Sequence, residues 1–409
     1  MAAGARPRNR LRALAIAVVW GAAVACAPLP APTTPIGAGQ PPAPAAGAAS
    51  APAPATGAAS VPAPAAAGGA APATWEQVVA AAKQEGHVAC GCPPVPEMRT
   101  FLTTEFQRAY PGISLDYTGA ALPQFAARVE AERASGQSLW DVYFWGPGGE
   151  MFTLVGRGFF DPIQPALLLP QVADPAVWGG WDRVFLDRQK QYVFSFRGEV
   201  GTIGYNAKAV APEDLRQPAD LLDPKFKGKI AWWDPRISSG GSVFGAFFVN
   251  QLGEDALRRL LVDQEPVLLP NTTDVAERIV RGPQVVALPT VGEDILKPYL
   301  DAGLPIDVRQ AGQEPQSSYV NVGWSTTMLF SNPPHSNAAK VFLNWLLSRE
   351  TQTQIAERLG HNSRRVDVPA ADESKRPLPG VDYFLPQSEY PGAELRARVI
   401  EIAKAARPQ

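Results

Sequence analysis

Histidine and cysteine are scarce in this chain: its 409 residues include only three of each. The histidines stand at 87, 335 and 361, none in an H-E-x-x-H and none in a plausible nucleophile–base arrangement. There is no G-x-S-x-G elbow, and "SSGGS" at 238–242 has the wrong order for one. Carboxylates occur side by side at Glu254-Asp255 and Glu293-Asp294, but neighbours on a helix point apart. Neither an enzyme nor a cofactor is expected. His87, Cys90 and Cys92 spell H-x2-C-x-C, which matches no strong zinc spacing and lacks an identifiable fourth ligand, so no metal site is expected there. Two residues apart, Cys90 and Cys92 could pair only under strain, and one further cysteine does not make a disulfide framework. An excess of one charge is also missing. A formal net charge of −2 gives nucleic acid or an anionic membrane surface no obvious purchase. No apolar run beyond the first residues is long enough to span a bilayer.

What is present begins with an export signal. Arg6, Arg8, Arg10 and Arg12 precede a short apolar stretch, Ala13–Trp20 and Ala22–Ala25. The following "AVAC" resembles a lipobox, which implies a signal peptide over 1–25 and a lipid on Cys26. Residues 27–73 are almost wholly Ala, Pro, Gly, Ser and Thr, too poor in large apolar side chains to offset the entropy of folding. Residues 26–73 therefore read as a lipid-bearing cysteine and an extended tether, with a reach on the order of 100 Å. The body beyond it, about 335 residues, suggests two lobes.

The body has a βα rhythm. Thr74 and Gln77 form a capping box for a helix with Trp75, Val78, Val79 and Ala82 on its apolar face, stopped by Gly86. "HVAC" reads as a strand, 97–109 as a helix, "ISLDYTG" as a half-buried strand, 123–134 as a helix and "LWDVYFW" as a buried strand. The pattern returns with strands "VGTIGYN", "KIAWW", "EPVLL" and "QVVAL". Helices are expected at 243–252, after a cap at Asn271 or Thr272, and over 294–302. "SNAAKVFLNWLLSRETQTQIAERLG" reads as two helices capped by Ser336 or Asn337. Strands alternating with helices specify an α/β architecture, in which ligands bind beyond the carboxyl ends of the strands.

Five phrases in order, "TWEQVVAAAKQEGHV", "FQRAYPGISLDYTG", "IGYN", "DLLDPKFKGKIAWWDPR" and "NPPHSNAAKVFLNWLLSRETQTQIAERLG…SRR", resemble bacterial extracellular solute-binding proteins of ABC importers, nearest the ferric-ion-binding branch. The resemblance implies an α/β, type II periplasmic-binding fold: two α/β lobes joined by two crossover strands, with a ligand cleft between them. Lobe one would comprise 74–200 and 319–362, lobe two 201–318, and 363–409 would pack on lobe two. The implied partners are a small-molecule solute, an ABC permease and its ATPase, and the membrane through the lipid. The protein would be an extracytoplasmic monomer, with a ligand-sensing receptor as an alternative role.

The ferric branch places tandem tyrosines where this chain has Val291 and Gly292, and neither supplies the phenolate that Fe(III) needs. Only Glu293, Asp294 and Tyr299 stand nearby as substitutes, so a ferric site would need non-standard ligands. The family's anion turn does have a counterpart in Ser238, Ser239, Gly240, Gly241 and Ser242, with Asn271 as the assisting amide. Glycines admit close approach to backbone N–H groups, and a helix N-terminus adds partial positive charge. Arg197 could hold a carboxylate or phosphate bidentately. From lobe one, Trp145, Gly148, Gly149 and Cys92 are candidates to line the cleft, and Glu293 is a candidate from lobe two. Arg236 is a weaker candidate, and Trp232 and Trp233 are expected in the core. The expected solute is a small anion: a phosphate ester, phosphonate or organic acid.

Overall fold

A computed structural model describes residues 74–408. The signal, the lipidated Cys26 and the tether expected at 1–73 lie outside the described residues. Thr74 makes the reciprocal cap of α1 (Trp75–Glu85), accepting from the Gln77 N–H while Gln77 Oε1 accepts from its own N–H at 2.8 Å; Gly86 closes the helix at φ 79°. The chain continues through β1 (His87–Cys92), α2 (Pro96–Ala109), β2 (Ser114–Gly119), α3 (Leu122–Ala134), β3 (Val142–Trp145), α4 (Gly149–Gly156), β4 (Phe160–Asp161), the one-turn α5 (Pro170–Ala173) and β5 (Phe194–Ser195). β6 (Glu199–Gly201) leads out of this lobe.

The second lobe contains β7 (Ile203–Asn206), β8 (Ile230–Trp233), α6 (Gly240–Val262), β9 (Val267–Leu269), α7 (Thr272–Arg281), β10 (Val286–Leu288), α8 (Glu293–Asp301) and β11 (Val308–Ala311). β12 (Tyr319–Asn321) returns to the first lobe, where β13 (Thr326–Phe330), α9 (Ser336–Leu346) and α10 (Arg349–Leu359) complete it. The last helix is α11 (Glu394–Ala406).

Both sheets repeat one order. The first runs β2-β1-β3-β13-β4, with β5 also on β13; the second runs β9-β8-β10-β7-β11. In each, three successive strands are parallel, and the strand that has just crossed between lobes inserts antiparallel beside the third. β6 and β12 pair antiparallel, Glu199 with Asn321 and Gly201 with Tyr319. Gly201 is required there, because a Cβ would fall inside the Tyr319 ring. That ring is buried in the second lobe, its centroid 5.0 Å from that of Phe247 and the two planes tilted by 35°. Each crossover strand runs straight into β7 or β13, whose first residues lie at the carboxyl edge of the parallel strands. Both carboxyl edges therefore adjoin the hinge.

Helices cover both faces of each sheet, as parallel sheets require. Lobe one buries Phe101, Phe106, Phe342 and Leu346 on one face and Phe125, Met151 and Phe152 on the other. Lobe two buries Phe244, Phe247 and Phe248 of α6 on one face, and Val275, Ile279 and Leu296 of α7 and α8 on the other. α6 starts three residues before the expected 243 and extends beyond 252, with a break at Gly253 (φ 83°) that admits a second helical segment. α11 lies on α6, where Val399 fills the space left by Gly245. The preceding segment touches the hinge and lobe one: Phe384 bridges to Tyr319, and the Glu389 N–H donates to the Leu186 carbonyl at 2.8 Å. Among the described residues no helix is long and apolar enough to cross a membrane.

The cap of α9 differs from expectation. Neither Ser336 nor Asn337 fills that position; His335 does, without a capping hydrogen bond from its side chain. The free amides of Asn337 and Ala338 donate instead to the Glu85 carboxylate, at 3.2 and 2.7 Å, from the end of α1. A carboxylate serves a helix N-terminus equally well from a distant element.

Candidate functional site

The carboxyl edge of the second lobe is organised around Trp233, the last residue of β8. Its Nε1 donates to the Pro270 carbonyl beyond β9 at 3.0 Å. Its six-membered ring lies against Gly240, where a Cβ would sit 2.6 Å from a ring carbon and 3.4 Å from Pro289 beyond β10. One half-buried indole therefore spans the ends of three strands and the start of α6. Trp232, on the opposite face, is fully buried and donates to the Gly241 carbonyl at 3.2 Å. Gly241 is as crowded as Gly240: a Cβ there would fall inside the Trp233 carbonyl oxygen. The glycines of the Ser/Gly run thus let α6 meet β8 closely.

The serines of the run are largely engaged. Ser239 is the N-cap of α6; its Oγ accepts from the Gly241 and Ser242 amides at 3.1 and 3.3 Å and donates to the Asp234 carbonyl at 2.7 Å. Ser242 is fully buried, and its Oγ accepts from the Ser239 amide and donates to the Ser239 carbonyl. What stays open to a ligand is the exposed Ser238, the Gly240 amide and the partial charge of the helix end. Asn271 caps α7, accepting from the Asp274 amide at 2.9 Å and donating to its carboxylate at 3.1 Å. Glu293 is the first residue of α8, next to Gly292 as N-cap, while Val291 is buried.

On the lobe-one edge, Trp145 ends β3 half-buried, and its carbonyl accepts from the Thr326 hydroxyl. Gly148 is the buried N-cap of α4, crowded by Leu122 and Glu150, whereas Gly149 faces open space. Sequence reasoning missed Trp324. It lies just past β12, with its Cα 3.8 Å from where a Cβ on Gly146 would stand, and it is 42% exposed. The signal was available in "NVGWS": a large aromatic after a glycine, directly following the second crossover. Cys92 is 1% exposed and joined to Cys90 by a disulfide, so it offers no thiol to the cleft.

Two cations near these edges, Arg197 and Arg236, carry their own counter-charges. Arg197 grips Glu199 bidentately at 2.8 and 2.7 Å, with both side chains mostly buried, so its fork is not open to a solute. Arg236 grips Asp234 the same way and also donates to the Arg407 carbonyl at 3.0 Å. Burial opposes the Asp234 charge, but the hydrogen bonds from Arg236 outweigh it and hold that pKa below its ordinary value. Among the described residues, no group of three or more His, Cys, Asp or Glu is placed to hold a metal ion. The edges thus offer helix N-termini, amides and three indoles, from Trp145, Trp324 and Trp233.

A family model described as "bacterial extracellular solute-binding protein" matches residues 102–377. Solved structures similar to this chain include iron-bound HitA from Pseudomonas aeruginosa, at 16% identity, covering 78% of this chain and 99% of that one with a TM-score of 0.59. IdiA (FutA) of Trichodesmium, in complex with iron and citrate ligands, matches at 18% identity, 79% and 100% coverage, and a TM-score of 0.61. The periplasmic binding protein AfuA from Actinobacillus pleuropneumoniae, with exogenous fructose-6-phosphate bound, matches at 17% identity, 79% and 98% coverage, and a TM-score of 0.56. At such identities the likeness is one of fold. No curated protein matches the chain.

Proposed function

Because the chain belongs to the bacterial extracellular solute-binding protein family, we propose that it captures a small organic anion between its lobes and delivers it to an ABC permease with its ATPase. The observation that carries this reading is the placement of the α6 N-terminus and Trp233 at one carboxyl edge, with Trp145 and Trp324 at the other. Both edges adjoin the β6–β12 pair, so a solute touching both favours the closed arrangement through contacts the open one lacks. With Arg197 and Arg236 already neutralised, the edge suits a singly charged carboxylate better than a doubly charged phosphate ester. The charged end would meet the Gly240 amide, and the body would lie against indole faces. The same reading holds the body outside the cell membrane, as a monomer on its Cys26 tether, and leaves it no catalytic role. A ferric cargo draws no support from the start of α8, where Val291 is buried and Tyr299 packs with the core beneath the sheet.

The test is a thermal-shift and tryptophan-fluorescence screen of the purified protein with short carboxylates, inorganic phosphate, ferric citrate and neutral sugars. A carboxylate is expected to raise Tm and change the indole emission, with Trp324→Ala or Trp233→Ala weakening its binding roughly three- to tenfold. Stabilisation by neutral sugars and by no anion would overturn the charge assignment. A visible phenolate-to-iron band on adding Fe(III) would restore the ferric alternative.

A further inference from the structure

A cavity of about 540 Å³ opens on the flank of the hinge, and its lining includes none of the residues placed above at the two carboxyl edges. Its walls come from the 178–183 segment of lobe one, the crossover residues Gly198 and Val320, and the chain after α10. Two successive arginines lie in that last stretch, and they differ sharply. Arg365 is 2% exposed and fully engaged: its fork grips Asp367 at 2.9 and 2.8 Å, Nη1 donates to the Gln171 and Leu347 carbonyls, and the guanidinium lies over Trp178. Arg364 has only one such contact, from Nε to the Arg197 carbonyl at 3.0 Å. Among the described residues its two terminal nitrogens have no acceptor and its charge has no carboxylate partner.

This half-buried guanidinium has no counter-ion among those residues, and it forms part of the cavity wall. Burial, and secondarily the like charge of Arg183, bring the Arg364 pKa down to about 10, so it stays charged at neutral pH. Arg183 lines the same cavity and, among the described residues, also has no ion pair. Arg376 lines it too, but is held by Glu373 at 3.2 Å. Asp182 and Asp382, both solvent-exposed, are the acidic groups of the lining. The remaining walls are mainly apolar. Leu378 and Val366 stand 54% and 62% exposed, among the most exposed large apolar side chains of the protein, while Val320 and Tyr383 are buried.

We propose that this cavity is a second binding site for a small organic anion with an apolar body. Its anionic group sits on the terminal nitrogens of Arg364, with Arg183 nearby, and its body lies against Val320, Tyr383 and Leu378. Two parallel N–H donors match a carboxylate or a phosphate monoester. An occupant touches Gly198 and Val320, and Arg364 packs so closely on Gly198 that a Cβ there would be 2.9 Å from its Nε. Occupancy is therefore linked to the geometry of the crossover strands, and through them to lobe closure.

Calorimetric titration of the purified protein with benzoate, phenyl phosphate, inorganic phosphate and neutral benzamide tests the site. Benzoate or phenyl phosphate is expected to bind at least about tenfold more tightly than benzamide and to weaken with added salt. Arg364→Met should weaken binding by about tenfold or more. Arg183→Ala and Leu378→Glu alter exposed residues, leave the fold intact, and should each weaken binding severalfold. The proposal falls if no aromatic anion binds at millimolar concentration, if benzamide binds equally, or if Arg183→Ala and Leu378→Glu change nothing. Should Trp324→Ala or Trp233→Ala abolish binding while these two do not, the anion sits between the lobes. In that case the cavity assignment fails and the cleft assignment stands.

Discussion

At the scale of single residues, the Ser/Gly run shows how one sequence signal can serve two demands. Its glycines are where a ligand-cradling turn needs them, yet Gly240 and Gly241 are also packed against Trp233. Gly241→Ala should cost about 2–3 kcal/mol in a chemical denaturation curve, because the atom it would strike is a backbone oxygen that cannot rotate away. Gly149→Ala, at the matching helix start in lobe one, meets open space and should stay within about 0.5 kcal/mol of the parent. The residue types of the run were readable in the sequence. That Ser239 and Ser242 satisfy each other was not, since a hydroxyl suited to a ligand and one suited to a cap are the same group. Arg197 is a similar case. Its guanidinium was legible as an anion receptor, but Glu199, two residues on, is the carboxylate it holds.

At the scale of elements, helix ends governed by neighbouring residues were legible and those governed by distant ones were not. The Thr74–Gln77 box, the Gly86 stop and the Asn271 cap depend on partners within four residues. The start of α9 depends on Glu85 in α1, which no local pattern announces. The contact between α6 and α11 is also long-range. A Cβ on Gly245 would lie 2.6 Å from a methyl of Val399, which is fully buried. Val399→Ala should cost about 2 kcal/mol through the cavity it leaves, and Gly245→Ala about 1–3 kcal/mol through overpacking. Because the new methyl of one fits the space vacated in the other, the double substitution should be less destabilised than the sum, by about 1 kcal/mol in a double-mutant cycle. Additive losses would mean that the two helices do not meet there.

At the scale of the whole molecule, the alternation of strands and helices announced an α/β protein, and five phrases in order pointed to its family. Periodicity could not say which strand sits beside which. β13 is a short apolar run like many others, and only its pairing of Thr326 with Trp145, 181 residues earlier in the chain, makes it the fourth strand of lobe one. The second lobe has no such delay, since its sheet uses strands from Ile203 to Ala311. In a polypeptide that emerges amino end first, the later lobe can close its sheet while the earlier one still has a gap beside β3. In that interval Val142–Trp145 is an unpaired edge, a liability for misassociation. Hydrogen exchange on nascent chains that end before β13 should find the amides of β8 and β10 protected and those of β3 still open. The lobe that leads the chain is thus the last to be finished, and its exposure to chaperones and proteases lasts until residue 330 arrives.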